Sequence, residues 1–179
     1  MEKLLLLSGK LLDITISRLC QELIENHEDF RHTVLVGMQP RGKFFADKIQ
    51  QRLQTIANIH VPIGYLDVTF YRDDFRRRDS PLKANATYMP FVIEDKKVVL
   101  IDDVLYTGRT IRSALSALAE FGRPASIELL ILIDRLYSRD LPIQPDYVGR
   151  SVNTIQSQRV QVEWAAQGAS EDTIYLCSQ

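Results

Sequence analysis

An α/β fold built on a mostly parallel sheet flanked by helices is what this sequence predicts, and three observations carry the prediction. Apolar strand-like runs alternate with stretches of helical periodicity. Three of those runs, at 33–38 (TVLVGM), 98–101 (VVLI) and 126–133 (SIELLILI), are continuous, as in strands covered on both faces. Each is followed by polar or turn residues: Gln39-Pro40-Arg41-Gly42, Asp102-Asp103 and Asp134-Arg135. Ligands of open α/β sheets bind at the carboxyl ends of strands, so these three stretches are expected to converge on one crevice.

The elements follow in order. Residues 11–28 predict a helix, with Ile16, Leu19, Cys20, Leu23 and Ile24 on one face. The strand at 33–38, a turn, and a helix with Phe45, Ile49, Leu53 and Ile56 facing inward come next. Residues 61–70 alternate like a strand. Residues 71–90 lose periodicity and are rich in charge, including Arg76-Arg77-Arg78, which fits a functional lid or a solvated run. The central strand leads into a helix marked by Ile111, Ala114, Leu115 and Leu118, ending near Phe121-Gly122. After 126–133, residues 146–149 suggest one more short strand. Residues 160–164 and 173–177 read as strands near a sheet edge, with Trp164 packing there.

Length and composition set the frame. A chain of 179 residues, 45% apolar and 25% charged, predicts one domain spanning 1–179. A net charge of −1 supplies no global field toward nucleic acid or membrane. Cys20 and Cys177 stand in apolar contexts without metal-ligand spacing, which fits buried thiols in a cytoplasmic protein. The leucine run near the start is too short to span a bilayer. His27, His32 and His60 lie in unrelated settings and receive no role.

The chemistry concentrates in residues 98–110, VVLIDDVLYTGRT. A carboxylate pair alone often just caps a turn. Here a strand, the pair, a Thr-Gly-Arg-Thr turn and a helix start follow one another. Asp102 and Asp103 can accept hydrogen bonds from vicinal ribose hydroxyls. Thr107, Gly108, Arg109 and Thr110 offer N–H groups, hydroxyls and a cation to a phosphate. Together they describe a cradle for ribose 5-phosphate, with Tyr106 either part of it or filling the turn. A rival pattern, Gly37 to Lys43, has P-loop spacing. Phe44 stands there where Ser or Thr must hold Mg²⁺, and Pro40 removes an N–H, so the pattern argues weakly for an NTPase. Arg135 either pairs with Asp134 or Asp140 or faces the crevice.

At VVLIDDVLYTGRT the sequence resembles the phosphoribosyltransferases of the type I fold, which act on phosphoribosyl pyrophosphate (PRPP). VGMQPRG at 36–42, LDVTFYRDD at 66–74, GRPASIELLILIDR at 122–135 and LPIQPDYVGR at 141–150 extend the likeness to those that pair uracil phosphoribosyl transfer with pyrimidine operon regulation. The resemblance implies that Asp102 and Asp103 hold the ribose, while Val104, Leu105 and Tyr106 lead into the phosphate turn Thr107–Thr110. Pro40, Arg41 and Gly42 would form a pyrophosphate loop, where the family often has a strained or cis peptide. Asp102, Asp103 and Arg41 are the implied catalytic residues. Residues 71–90, starting with Tyr71 and Arg72, would be a flexible hood. Arg135 and Val160 would surround uracil or uridine 5′-monophosphate (UMP). Mg²⁺ would bridge pyrophosphate and ribose oxygens, with Asp103 reaching it through water. Arg18 and Thr154 would face a pyrimidine operon mRNA leader, and a homodimer or larger assembly is implied.

The sequence departs from that pattern in places. Leu136-Tyr137-Ser138, with one extra residue, stands where the family has Gly-His. Asp13 and Ile14 precede Arg18, and glutamines occupy 153–159, so RNA contacts have fewer cations there. Catalysis is better supported than RNA regulation. A regulator with little turnover, or transfer to another base such as hypoxanthine, are the alternatives.

Overall fold

Val98 and Leu100 pack toward one side of the central strand, Val99 and Ile101 toward the other, and all four are fully buried. This is why the run is continuously apolar: each face of the sheet has its own core. The computed structural model describes residues 2–73 and 84–178. In chain order it contains β1 (Glu2–Ser8), α1 (Gly9–His27), β2 (Thr33–Met38), α2 (Gly42–Ala57), β3 (Ile63–Leu66), β4 (Lys97–Leu105), α3 (Arg109–Leu118), β5 (Ser126–Leu136), β6 (Tyr147–Asn153), β7 (Gln158–Glu163) and β8 (Thr173–Ser178).

The main sheet has five strands in the order β3-β2-β4-β5-β6. Every pairing in it is parallel, with Gly37 opposite Ile101 and Leu105 opposite Asp134. Helices α1 and α2 cover one face through Leu19, Leu23, Phe45, Ile49 and Leu53. Helix α3 covers the other through Ile111, Ala114, Ala117 and Leu118. Each fully buried Leu, Ile or Phe contributes about 1.5–3 kcal/mol of transfer free energy.

Four strands differ from the sequence expectation. The leucine run near the start is a strand, β1, with Leu6 and Leu7 buried and Leu4 and Leu5 exposed. Strands β7 and β8 leave the main sheet and join β1 in a three-stranded antiparallel sheet, order β1-β8-β7. That sheet closes the α2 side, where buried Trp164 stacks on Phe45 at 6.2 Å. Of residues 61–70 only Ile63–Leu66 pairs as a strand, and a 3-10 turn occupies Thr69–Tyr71. Ile56 and Leu115, expected inward, are partly exposed on the outer flanks of their helices. The arginine triplet 76–78 lies outside the described residues.

The end of the sheet opposite the crevice is sealed by a polar network. His27 is buried, with Nδ1 at 2.9 Å from Thr33 Oγ1 and Nε2 at 2.9 Å from Glu128, and the Tyr147 hydroxyl donates to Glu128 at 2.7 Å. Its partners are structural, in keeping with its lack of a sequence-assigned role.

Candidate active site

β3 lies on one side of β2 and β4 on the other, so the winding reverses between β2 and β4. A crevice opens beyond the carboxyl ends of strands at such a reversal. Met38 ends β2, and the Gln39–Pro40 bond that follows is cis. Gly42 then starts α2 hard against β4: a Cβ there would stand 2.8 Å from both Asp102 Oδ1 and the Ile101 carbonyl. Only glycine lets the loop of Pro40 and Arg41 sit beside the carboxylates. Lys43 turns away, its ammonium 4.6 Å from the centre of the Tyr65 ring, which removes the P-loop reading.

Pro40, Arg41, Arg72, Asp102, Asp103, Val104, Tyr106, Thr110, Arg135 and Val160 all line one cavity of about 290 Å³. The expected convergence is therefore real. Asp103 is buried, and its Oδ2 accepts no hydrogen bond among the described residues. Arg41 Nε faces that oxygen at 3.5 Å, as a charge contact without hydrogen-bond alignment. Asp102 Oδ1 accepts from the Asp103 backbone N–H at 2.9 Å. Enclosure raises both carboxyls above their ordinary range. At Asp102 burial acts first and the neighbouring Asp103 charge adds to it. At Asp103 burial outweighs the opposing pull of Arg41. A buried acceptor without a donor, in a pair reluctant to ionise, is a place made for hydroxyl donors or a cation.

A second cavity of about 270 Å³ adjoins Asp102 and is walled by residues 104–111. Leu105 ends β4, and Gly108 adopts φ +88° just before α3. A Cβ at Gly108 would also lie 2.9 Å from Ile143 Cγ1, so shape and dihedral both require glycine. The N-terminus of α3 thus opens onto this cavity, an anion-binding arrangement. Thr107 Oγ1 accepts from the Arg109 N–H at 3.3 Å. The Arg109 guanidinium is engaged sideways, with Asp73 at 2.7 Å and Asp140 at 2.9 Å. Those carboxylates, Asp140 first, raise its pKa.

Arg135 pairs with neither acidic neighbour. Asp134 takes Arg139, and Asp140 takes Arg109. Arg135 instead donates to Thr154 Oγ1 at 3.0 Å and to the Gln158 carbonyl at 2.8 Å, while the Tyr106 ring covers its guanidinium at 3.8 Å. Tyr106 is thus part of the crevice wall. Thr154 is tied to that wall from behind. Arg18 lies on α1 away from the crevice and donates to Glu22 and to the Val148 and Gly149 carbonyls. Tyr71 closes the 3-10 turn and does not line the crevice cavities.

Gln39, within the turn expected there, also lines the crevice, and sequence reasoning missed Arg159, which lines it too. It missed Asp67 as well. This buried carboxylate accepts from the N–H groups of Thr69 and Asn85, at 2.9 and 3.0 Å. The run LDVTFYRDD contained it, but nothing local shows that its partner lies 18 residues on. In a roomier cavity of about 460 Å³ between α1 and α2, Arg52 pairs with Asp13 and Lys48 with Asp172.

The class follows from fold and crevice together. The family model described as phosphoribosyl transferase domain matches residues 6–167, and the chain belongs to that family. Solved structures share the fold: a hypoxanthine phosphoribosyltransferase from Trypanosoma cruzi, bound to the product IMP, superposes with a TM-score of 0.67 at 18% identity, covering 85% of this chain and 77% of that one. The hypoxanthine phosphoribosyltransferase of Staphylococcus aureus gives 0.60 at 23% identity, covering 89% and 80%. Within the family the relatives are more specific. The Bifunctional protein PyrR of Geobacter sp. (strain M21) is 43% identical over 94% of this chain and 95% of its own length. That of Pasteurella multocida is 46% identical over 90% of each. The branch is that of the PyrR proteins. Among the described residues no helix is long and apolar enough to cross a membrane.

Proposed function

We propose that the chain is a cytoplasmic uracil phosphoribosyltransferase, converting uracil and PRPP to UMP and pyrophosphate. The observation that carries this is the Asp103 carboxylate oxygen that accepts no hydrogen bond among the described residues, buried in the crevice beside a helix N-terminus shaped for phosphate. Asp102 and Asp103 accept the ribose hydroxyls. The turn Thr107–Thr110, with Val104, Leu105 and Tyr106 as its approach, holds the 5′-phosphate. Pro40, Arg41 and Gly42 hold the pyrophosphate. Arg135 and Val160 border the base, and Arg72, from the hood, lines both cavities.

In the reaction a bond forms between a uracil ring nitrogen and the ribose anomeric carbon, the bond from that carbon to pyrophosphate breaks, and the proton of that nitrogen passes to water or to the departing pyrophosphate. The protein gains rate chiefly by alignment and by excluding water. Positive charge developing on the ribose is favoured by the two carboxylates, and the departing pyrophosphate meets Arg41. Among the described residues no three acidic, His or Cys groups gather to hold a metal. Two carboxylates and substrate oxygens suit Mg²⁺, which keeps waters and takes ligands from phosphates. Asp103 would hold it through water, and it would supply charge neutralisation on pyrophosphate. Asp103→Asn should lower turnover by about 100-fold with the protein folded and Tm not lowered; unaltered turnover would refute the assignment.

A regulatory activity belongs to the same reading, since the relatives are named bifunctional. Thr154 is bonded to Arg135 in the base cavity wall, so a face carrying Arg18 and Thr154 could sense UMP while binding a pyrimidine operon mRNA leader, as a dimer or larger assembly. UMP-dependent retention of such a leader on filters tests this, and retention indifferent to UMP would contradict it.

A further inference from the structure

The phosphate turn is held from beneath by the segment that follows β5. The Tyr106 carbonyl accepts from Arg139 Nη1 at 2.7 Å and from Ser138 Oγ at 3.3 Å. The Thr107 carbonyl accepts from the N–H groups of Asp140 at 3.0 Å and Leu141 at 3.2 Å. A planar trans peptide directs its carbonyl and the next N–H to opposite sides. Two carbonyls fixed toward this strap therefore turn the N–H groups of Thr107 and Gly108 away from it. The cavity walled by residues 104–111 has no strap residue in its lining, so that is the side the N–H groups face.

Arg139 is the keystone. Besides Tyr106, its guanidinium donates to the carbonyls of Arg135 and Ile143, each at 3.0 Å, and it pairs with the buried Asp134. A planar fork with five donors can span such a set, whereas an ammonium cannot. Arg139 stands outside both crevice cavities, so it does not touch substrate from there.

We propose that Arg139 is a positioning residue: through the Tyr106 carbonyl it presets the turn's N–H groups for the 5′-phosphate. This rests on the reading of 107–110 as the phosphate site. The test is equilibrium binding of UMP and of uridine, which lacks the phosphate, to the full chain and to Arg139→Lys. The variant keeps the charge beside Asp134 but loses the fork. UMP binding should weaken about tenfold, the scale of one or two charge-assisted hydrogen bonds, with uridine binding unchanged. The PRPP KM should rise while the uracil KM holds. Should Arg139→Lys fail to fold, Ser138→Ala removes a hydroxyl shared between the Arg135 carbonyl at 2.7 Å and the Tyr106 carbonyl at 3.3 Å, and should shift the UMP-to-uridine ratio in the same direction by about threefold. Equal weakening of both ligands, or no change in UMP binding, overturns the positioning role. Wild-type protein that binds UMP no better than uridine overturns the phosphate-site reading itself, and the positioning role with it.

Discussion

Asp102 is held in a setting that favours its protonated form, because burial and the adjacent Asp103 both oppose its charge. The linkage sign follows: a carboxyl whose folded pKa is raised contributes stability that is complete below its unfolded pKa and is lost as pH rises through the folded one. Neutralising it should therefore stabilise the unliganded protein at neutral pH. Asp102→Asn keeps an acceptor for the Asp103 N–H and should raise Tm by a few degrees, roughly the effect of 1 kcal/mol in a chain of this size, while turnover collapses. Calorimetry beside a rate assay checks both halves; a lowered Tm would contradict the electrostatic account. Arg41 is half-exposed and bears no core packing. Arg41→Ala should leave the protein folded and raise the PRPP KM by about tenfold or more, as read from initial rates. Arg135 shows why such roles are hard to read from a sequence. Asp134 is its neighbour, yet successive residues of a strand point to opposite faces. Asp134 goes to Arg139, and Arg135 to Thr154 and Tyr106.

At the scale of elements, the β4–turn–α3 unit was legible because everything it needs is local: an apolar run, two carboxylates, a glycine and a helix start within residues 98–118. The strap beneath it was not, since Arg139 and Ser138 act on backbone carbonyls and leave no side-chain motif. Nor was the anchor at Asp67, which joins Thr69 to Asn85. Burial pushes Asp67 up, but the N–H groups of Thr69 and Asn85 outweigh it and hold the carboxyl below its ordinary value. Its contribution is thus present above the unfolded pKa and lost as pH falls through the folded one, below about pH 4. Asp67→Ala should speed exchange of the Thr69 and Asn85 amides by about tenfold, measured by hydrogen exchange, and raise the PRPP KM. Unchanged protection at both amides would show that the anchor is idle.

At the scale of the molecule, the parallel sheet and its two covered faces followed from continuous apolar strands. The second sheet did not, because β1 finds β8 across the whole chain, with Glu2 opposite Ser178, and no periodicity reports such a pairing. What the whole fold achieves is the strand order β3-β2-β4-β5-β6, which brings Arg41, Asp102, Thr110 and Arg135 to one crevice, to which β7 of the second sheet adds Val160. The central claim is that this crevice transfers a phosphoribosyl group to uracil. It is tested most directly by pyrophosphate release from PRPP and Mg²⁺ with a panel of free bases. Release confined to uracil is the predicted result. Release with hypoxanthine or another purine, or none with any base, would contradict it.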